Sequence, residues 1–258
     1  MTDDEPLVFE DFPEADPDRV RPFVYEDERG VALHFEISAI QSRMRRDDPY
    51  ALDLDYTRAM MGFLLFVPEP RSMLMVGLGG GSLPKYCHRH LAGVDITVAE
   101  INPHVIALRD EFLVPPDGER FRVLCADGAD VVAQPGAPVD VLLVDGFNYD
   151  GQPEALCTQR FYDDCRARLA DAGVMVVNLH ADHEQCAAIV ERIERSFEHR
   201  LVVVGAEAGG NLIAFAGRDC PPRGGAAELR RRLEALPALH RETLRAGAGR
   251  LLRAVAAA

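Results

Sequence analysis

Three acidic residues stand at the ends of consecutive predicted strands, beside a glycine loop. The loop spans residues 77–82 and follows the buried strand 72–76, and the acids are Glu100, Asp127 and Asp145. Glycines let the backbone turn sharply and approach a ligand closely, with helix N–H groups at the mouth of the loop. An acid at the tip of the following strand is placed to bind the diol of a ribose. The strand, loop, helix, second strand and Glu100 together predict a nucleoside-binding half-site.

The other two acids each have a chemical and a structural interpretation. Asp127 is placed to accept a hydrogen bond from an exocyclic adenine amine, with Gly128 permitting close approach, or to cap the helix that begins near residue 129. Asp145 lies where a reacting group would lie, or it forms a turn before the glycine that follows it. His180 and His183 have no third potential ligand at a spacing typical of metal sites, so we predict no metal site.

Apolar strands and helices alternate through the middle of the chain, which predicts a parallel sheet covered on both faces. The predicted strands are 73–76, 96–99, 122–125, 139–144 and 174–179, and the predicted helices are 83–90, 103–112, 129–133, 158–170 and 184–197. The last two strands, 200–204 and 211–216, are joined by too few residues for a right-handed crossover and should be antiparallel. This pattern is typical of the α/β class with a methyltransferase-like Rossmann fold.

Shorter elements flank the predicted Rossmann domain. Residues 23–26 and 31–37 alternate around a glycine turn and predict a small N-terminal β-hairpin region, followed by a helix over 54–66. We therefore divide the chain into an acidic, disordered tail (1–18), a small β region with its linking helix (19–68), a Rossmann-like nucleoside-binding domain (69–220) and a C-terminal helical segment (221–258). The leucines of the last segment should pack on the body of the protein or on a second copy.

Net charge and cysteine usage restrict the possible partners and the cellular compartment. The net charge is −14, which disfavours nucleic acid and would attract a cationic substrate, although acidity also keeps a protein in solution. The six cysteines form no C-x-x-C pair, and no signal peptide is recognisable. No apolar run approaches the roughly 20 residues that span a membrane. We expect a cytoplasmic protein without a membrane partner.

Segments along residues 23–217 resemble the spermidine synthase family, and most closely its divergent bacterial branch. They are Gln41, Asp55-Tyr56, 73–85, 98–101, 126–128 and 144–151, in that order. The resemblance implies a small N-terminal β domain, a methyltransferase-like Rossmann domain and a homodimer. It also implies transfer of an aminopropyl group from decarboxylated S-adenosylmethionine to a small amine acceptor, with methylthioadenosine as product and no metal.

The resemblance also implies a role for each matching residue. Asp145 matches the family's catalytic aspartate and Tyr56 a tyrosine that supports the reacting amine. This suits the chemistry, because a protonated amine cannot attack until a base removes its proton. The residues assigned to the donor nucleoside are Gln41, Gly77, Gly79, Gly81, Glu100, Ile101, Asp127 and Gly128. The residues assigned to the acceptor are Tyr56, Asn148, Asp150 and Glu207.

The amine side of the predicted site departs from the family pattern. Gly80 stands where the family has an aspartate that binds the donor's amine, and Asn148 stands where it has the second aspartate of a D-S-S-D-type motif. Asp150 or Glu207 would restore a negative charge if it lay in the pocket.

Three functions therefore stay open. The first is aminopropyl transfer with an altered acceptor, which Asp145, Tyr56 and Gln41 favour. The second is methyl transfer from intact S-adenosylmethionine, whose carboxylate a glycine loop without the aspartate would tolerate better. The third is a non-catalytic protein that binds the nucleoside alone.

Overall fold

Strands and helices alternate from residue 72 onward, as the apolar pattern predicts. The computed structural model describes residues 17–36, 39–148, 151–207 and 210–257. The strands are β1 (Phe23–Glu26), β2 (Gly30–Glu36), β3 (Ala39–Arg45), β4 (Ser72–Val76), β5 (Asp95–Glu100), β6 (Phe121–Cys125), β7 (Val139–Val144), β8 (Leu169–His180), β9 (Leu201–Gly205) and β10 (Asn211–Gly217). The α-helices are α1 (Asp55–Met60), α2 (Ser82–His90), α3 (Pro103–Ile106), α4 (Gly128–Ala133), α5 (Gln159–Arg168), α6 (Cys186–Ser196), α7 (Gly225–Ala235) and α8 (Ala238–Ala257).

The strands form two sheets, and their order confirms the predicted fold class. The N-terminal sheet is antiparallel in the order β1-β2-β3, so the predicted hairpin gains a third strand. The second sheet has the order β6-β5-β4-β7-β8-β10-β9. Its first five strands are parallel, and β10 runs antiparallel to β9, as predicted. The structure also pairs β10 antiparallel with β8. The strand order reverses between β4 and β7, which opens a crevice at the carboxyl ends of these strands.

Alternating side chains of β4 divide the hydrophobic core into two layers. Met73 and Met75 pack with α1, α2, α8 and the N-terminal sheet, while Leu74 and Val76 pack with α4, α5 and α6. Successive side chains of a strand point to opposite faces, so a strand that is apolar throughout must be covered on both sides. The continuous apolar sequence of β4 therefore explains why the sheet is covered by helices on both faces.

Two predicted helices are wrong in extent. The structure ends α1 at Met60 and continues with a 3-10 helix over Met61–Leu65. A Cβ atom at Gly62 would lie 2.9 Å from Cζ of Phe215, so this segment is pressed against β10. The helix predicted over 103–112 ends at Ile106. The following residues form a mixture of three-residue and four-residue backbone hydrogen bonds, and Leu113 then adopts a φ of 54°.

The C-terminal helices pack on the body of the protein. Leu229 of α7 and Leu251 of α8 are buried in the core layer that contains α1 and α2. The hydroxyl of Tyr86 in α2 lies 2.9 Å from Nδ1 of His240 in α8. Within the ranges described above, no helix is both long and apolar enough to cross a bilayer.

We expect Leu251→Ala to lower the free energy of unfolding by about 2–5 kcal/mol, because it leaves a cavity in a closed core. Leu251 is 3% exposed, whereas Leu239, in the same helix, is 47% exposed. The matched control Leu239→Ala should change the free energy of unfolding by no more than about 0.5 kcal/mol. Chemical denaturation of the two variants measures the difference, and equal losses would contradict the packing of α8 on the body.

Candidate functional site

A cavity of about 270 Å³ lies at the carboxyl ends of β4, β5, β7 and β8. The Rossmann domain forms its floor, and residues of β2, β3 and α1, among them Phe35, Gln41 and Tyr56, form the opposite wall. The cavity therefore occupies the crevice where the strand order reverses, which is the expected ligand site of an open α/β sheet.

The glycine loop follows β4 and forms the base of the cavity. Gly77 has a φ of 94°, and a Cβ atom there would lie 2.2 Å from the carbonyl oxygen of Asp145. Gly81 has a φ of 68° directly before α2, and its Cβ would lie 2.4 Å from Val114. Gly77 and Gly79 line the cavity, whereas Gly81 shapes the turn without lining it. Glycine is thus required at residues 77 and 81 by both backbone angle and space.

Glu100 fixes the glycine loop through its carboxylate. One carboxylate oxygen accepts a hydrogen bond from Leu78 N at 2.8 Å, and the other accepts one from Asn102 N at 2.9 Å. Burial raises the pKa of Glu100 above its ordinary value, while these backbone donors lower it. Glu100 and the following Ile101 both line the cavity. The backbone N–H groups of Gly79 and Ile101 also lower the pKa of this carboxylate, and its contact with ribose hydroxyls stays a prediction.

Asp127 serves as the N-cap of α4. Its Oδ1 accepts a hydrogen bond from Ala129 N at 2.7 Å, which confirms the structural interpretation made from sequence. Asp127 and Gly128 also line the cavity. A Cβ atom at Gly128 would lie 2.3 Å from Val76, so only glycine fits between the helix and β4. The adenine contact stays a prediction that this position permits.

Asp145 lies directly after β7 and belongs to a chain of hydrogen bonds. Its Oδ1 accepts from Asn178 Nδ2 at 2.8 Å, and Asn178 Oδ1 accepts from Asn211 Nδ2 at 2.9 Å. The hydroxyl of Tyr56 also lies beside the Asp145 carboxyl and interacts with it. Burial raises the pKa of Asp145 to about 6, although the bonds from Asn178 and Tyr56 lower it. Asp145 can therefore gain or lose a proton near neutral pH.

Tyr56 acts as the donor in its contact with Asp145. Burial and the neighbouring Asp145 charge raise the pKa of the Tyr56 phenol well above its ordinary value, so the phenol keeps its proton. The same hydroxyl lies 3.5 Å from the main-chain oxygen of Gln41. Tyr56, Gln41 and Asp145 therefore meet at one end of the cavity.

The residues predicted for the acceptor are only partly brought together. Asn148 lines the cavity, and its Nδ2 donates to Oδ1 of Asp18 at 3.1 Å. Glu207 lies in an exposed turn after β9 and does not line the cavity. Asp150 lies outside the described residues.

Sequence reasoning missed Asp18, Asn178 and Asn211 as parts of the site. Asn178 lies near the carboxyl end of a predicted strand, where ligand-binding residues are expected, but its residue type alone does not indicate a role. Asn211 reaches the cavity because the antiparallel register places it opposite His180, a pairing that strand prediction alone does not give. Asp18 falls in the segment predicted as a disordered tail, yet it lies in the 3-10 turn Pro17–Arg19 and lines the cavity.

The space beside Gly80 is filled by two other side chains. A Cβ atom there would lie 2.7 Å from Oγ of Ser42 and 2.8 Å from Cδ1 of Phe112. Lys85 Nζ donates to the carbonyl oxygen of Phe112 at 2.6 Å, and burial lowers the pKa of Lys85 to about 8. Lys85 thus holds the segment that closes this wall, so a carboxylate from position 80 would not fit without a shift.

The charge around the cavity has one sign. Carboxylates line it, whereas no lysine or arginine of the described ranges does. The lining carboxylates are those of Asp18, Asp55, Glu100, Asp127 and Asp145. Within the same ranges no cluster of three His, Cys, Asp or Glu residues could hold a metal ion. The cavity is therefore suited to a positively charged organic ligand.

Comparison with known proteins agrees with this geometry. The polyamine aminopropyltransferase of Chromobacterium violaceum is 38% identical over 206 residues, which cover 80% of this chain and 79% of that protein. The structure of human methyltransferase-like protein 13 in complex with SAH is 26% identical with a TM-score of 0.63, covering 74% of this chain and 92% of that one. A probable spermidine synthase from Corynebacterium glutamicum shares the fold at 19% identity and a TM-score of 0.67, covering 89% of this chain and 91% of that one.

A family model described as the spermine/spermidine synthase domain matches residues 54–204, which include the glycine loop, Glu100, Asp127 and Asp145. This match covers more than half of the chain, and the aminopropyltransferase similarity extends over four-fifths of it. The chain therefore belongs to the spermine/spermidine synthase family.

Proposed function

We propose that this protein transfers an aminopropyl group from decarboxylated S-adenosylmethionine to a small amine, with Asp145 as the base. The observation that carries the proposal is the cavity itself, which is lined by carboxylates and places Asp145 beside Tyr56. Both substrates of this reaction are cations, and a negatively charged cavity favours cations over anions.

The lining charges favour the decarboxylated donor over the intact one. Decarboxylated S-adenosylmethionine carries a sulfonium and an ammonium, whereas the intact molecule also carries a carboxylate. In the described parts of the chain, the cavity offers that carboxylate no lysine or arginine. A carboxylate buried near other carboxylates is disfavoured. We assign the nucleoside to Gln41, Gly77, Gly79, Glu100, Ile101, Asp127 and Gly128.

The transfer step requires an unprotonated acceptor amine. In our proposal, the Asp145 carboxylate takes one proton from the acceptor ammonium, and Tyr56 orients the resulting lone pair. The amine nitrogen then attacks the methylene carbon of the aminopropyl group, which is bonded to the sulfonium sulfur. A nitrogen–carbon bond forms as the carbon–sulfur bond breaks, and its electron pair stays on sulfur in methylthioadenosine. Because the sulfonium is already a good leaving group, positioning should supply most of the rate.

Methyl transfer is the second candidate. The 26% identity to a human methyltransferase-like protein in complex with SAH favours it, as does the filled space beside Gly80. The lining charges count against it, because they disfavour the carboxylate of S-adenosylmethionine.

A non-catalytic nucleoside-binding protein is the third candidate. It gives the Asp145–Tyr56 contact no role in catalysis. Cytoplasmic location and a homodimer stay predictions.

Calorimetric titration with three nucleosides separates the candidates. We expect decarboxylated S-adenosylmethionine to bind at least 10-fold more tightly than S-adenosylmethionine, and methylthioadenosine to bind measurably. Glu100→Ala should weaken all three, because it removes the acceptor for the ribose and releases Leu78 N. Tighter binding of the intact donor would favour methyl transfer.

Asp145→Asn should lower kcat for aminopropyl transfer by about 10²–10⁴-fold, because it removes the base. Methylthioadenosine binding should survive, since the asparagine side chain has a similar shape to the carboxylate it replaces. The surface control Asp171→Asn should leave kcat unchanged, because Asp171 is about 90% exposed and pairs with Arg218 away from the cavity. Turnover of the wild type is followed by release of methylthioadenosine, and an active Asp145→Asn variant would remove Asp145 from the mechanism.

The activity should fall on acidification through about pH 6. Asp145 works as the carboxylate, and its pKa is raised to about 6, so protonation below this pH removes the base. Asn178→Leu removes a donor that lowers this pKa and should move the acidic limb of the kcat/KM profile to higher pH. The same acceptor is used for both proteins, so its own ionisation cancels. If the acidic limb of the profile does not move, it reports the ionisation of another group.

A further inference from the structure

A second cavity, of about 750 Å³, lies apart from the proposed active site. It is found where the end of β3, the loop after it and α1 face α2 and α8. Among the described residues, none lines both cavities. Its volume falls in the range of roughly 300–1,000 Å³ that is usual for small-molecule sites. We call it the arginine cavity, because Arg45, Arg58, Arg89 and Arg245 line it.

The arginine cavity differs in charge from the rest of the chain. Over the described parts of the sequence, four arginines line it against two acidic residues, Asp48 and Glu242. The chain as a whole has a net charge of −14, and the acidic side chains of the first cavity face no such arginines. A cavity lined by one sign of charge concentrates ions of the opposite sign. The arginine cavity is therefore suited to an anion.

Two of the four arginines are held by neutral groups. No salt bridge of the described ranges involves Arg58 or Arg89. Nη1 of Arg58 donates to the carbonyl oxygens of Leu52 and Asp53, at 2.8 and 2.6 Å. The guanidinium carbon of Arg89 lies 4.2 Å from the centre of the Tyr50 ring. Stacking uses the face of a guanidinium and leaves the N–H groups at its edge able to donate to a ligand.

The other two arginines have exposed carboxylate partners. Nε of Arg45 donates to Oδ1 of Asp47 at 2.9 Å, and Nη1 of Arg245 lies 2.7 Å from Oε1 of Glu242. The four side chains of these pairs are between 43% and 76% exposed. Ion pairs between exposed side chains are weak, so an anion in the cavity can compete with these carboxylates for the guanidinium groups.

The buried residues of the arginine cavity give it a fixed base. Leu52 and Tyr86 line it and are 6% and 3% exposed. The Tyr86 hydroxyl lies 2.9 Å from both Nδ1 of His240 and Oγ1 of Thr243, which joins α2 to α8 beneath the cavity. The arginines therefore surround a base that is already packed in the absence of a ligand.

We infer that the arginine cavity binds a ligand that carries a diphosphate group. The planar fork of a guanidinium donates paired hydrogen bonds to phosphate oxygens. It pairs with carboxylates in the same way, but a diphosphate offers more acceptor oxygens and more negative charge in one compact group than a dicarboxylate does. It can therefore contact several of the four arginines at once. Inorganic pyrophosphate and a nucleoside diphosphate share this chemistry. The inference does not depend on the proposed function, because the two cavities have different lining residues.

Calorimetric titration of the full chain in buffer without divalent cations tests the inference. The probes are inorganic pyrophosphate, uridine diphosphate and the dicarboxylate succinate. Uridine diphosphate lacks the adenine expected in the first cavity. We expect pyrophosphate to bind, and succinate to bind at least about 10-fold more weakly, because it brings less charge and fewer acceptors to the arginines.

Arg89→Gln should weaken pyrophosphate binding by about 10-fold, because it removes a charged donor that no carboxylate of the described residues neutralises. Arg89→Lys keeps the charge without the planar fork, so its affinity should lie between those of the wild type and Arg89→Gln. The matched control Arg160→Gln removes the same charge from α5, where Arg160 is 88% exposed and does not line the cavity. This control should bind pyrophosphate as the wild type does.

Competition shows which cavity is occupied. Saturating methylthioadenosine should leave pyrophosphate binding unchanged. The inference is overturned if the wild type does not bind pyrophosphate or uridine diphosphate, if succinate binds as tightly as they do, if Arg89→Gln binds like Arg160→Gln, or if methylthioadenosine displaces pyrophosphate. Tighter binding of uridine diphosphate than of pyrophosphate would identify the ligand as a nucleotide, and equal or weaker binding would identify it as the free diphosphate.

Discussion

The close approach of Gly77 to the carbonyl oxygen of Asp145 is the constraint on which the site depends. A side chain at residue 77 would lie 2.2 Å from that oxygen, so the end of β4 and the end of β7 can meet only around a glycine. This contact brings the proposed nucleoside-binding loop and the proposed base into one crevice. The Glu100 carboxylate then ties the same loop to the end of β5. Three strand ends are thereby held in one rigid arrangement.

Charge is arranged around this frame in two ways. Glu100 and Asp127 use part of their hydrogen-bonding capacity on backbone N–H groups, so they shape the cavity as well as line it. Asp145 receives its bonds from side chains and is buried enough for its pKa to rise to about 6. Carboxylates of similar intrinsic acidity thus differ in behaviour because of their surroundings. The reacting end of the cavity can therefore exchange protons near neutral pH.

Much of the fold was predictable because continuous apolar strands, glycine turns and helix caps act locally. The short connection between β9 and β10 likewise fixed their antiparallel pairing. Strand ends located Glu100, Asp127 and Asp145, since parallel strands bring their carboxyl ends to one edge. Asn211 and Asp18 could not be predicted in this way. Asn211 reaches the cavity through an antiparallel register, and Asp18 reaches it on a short N-terminal segment whose hydrogen bonds join residues 82 and 130 positions apart. Such long-range contacts leave no periodic signal in a sequence.

Lys85 is the only lysine of the chain, and it is 1% exposed with its Nζ bonded to Phe112. A lysine-specific protease therefore has one cleavage site, which becomes accessible only when α2 opens. Cleavage yields two fragments, residues 1–85 and 86–258, and its rate reports the population of opened molecules when opening is fast relative to cleavage. Because α2 begins at the glycine loop, the proposed nucleoside ligand would stabilise the closed form and protect this bond. The burial of the single lysine thus makes cleavage after Lys85 a measure of how often α2 opens.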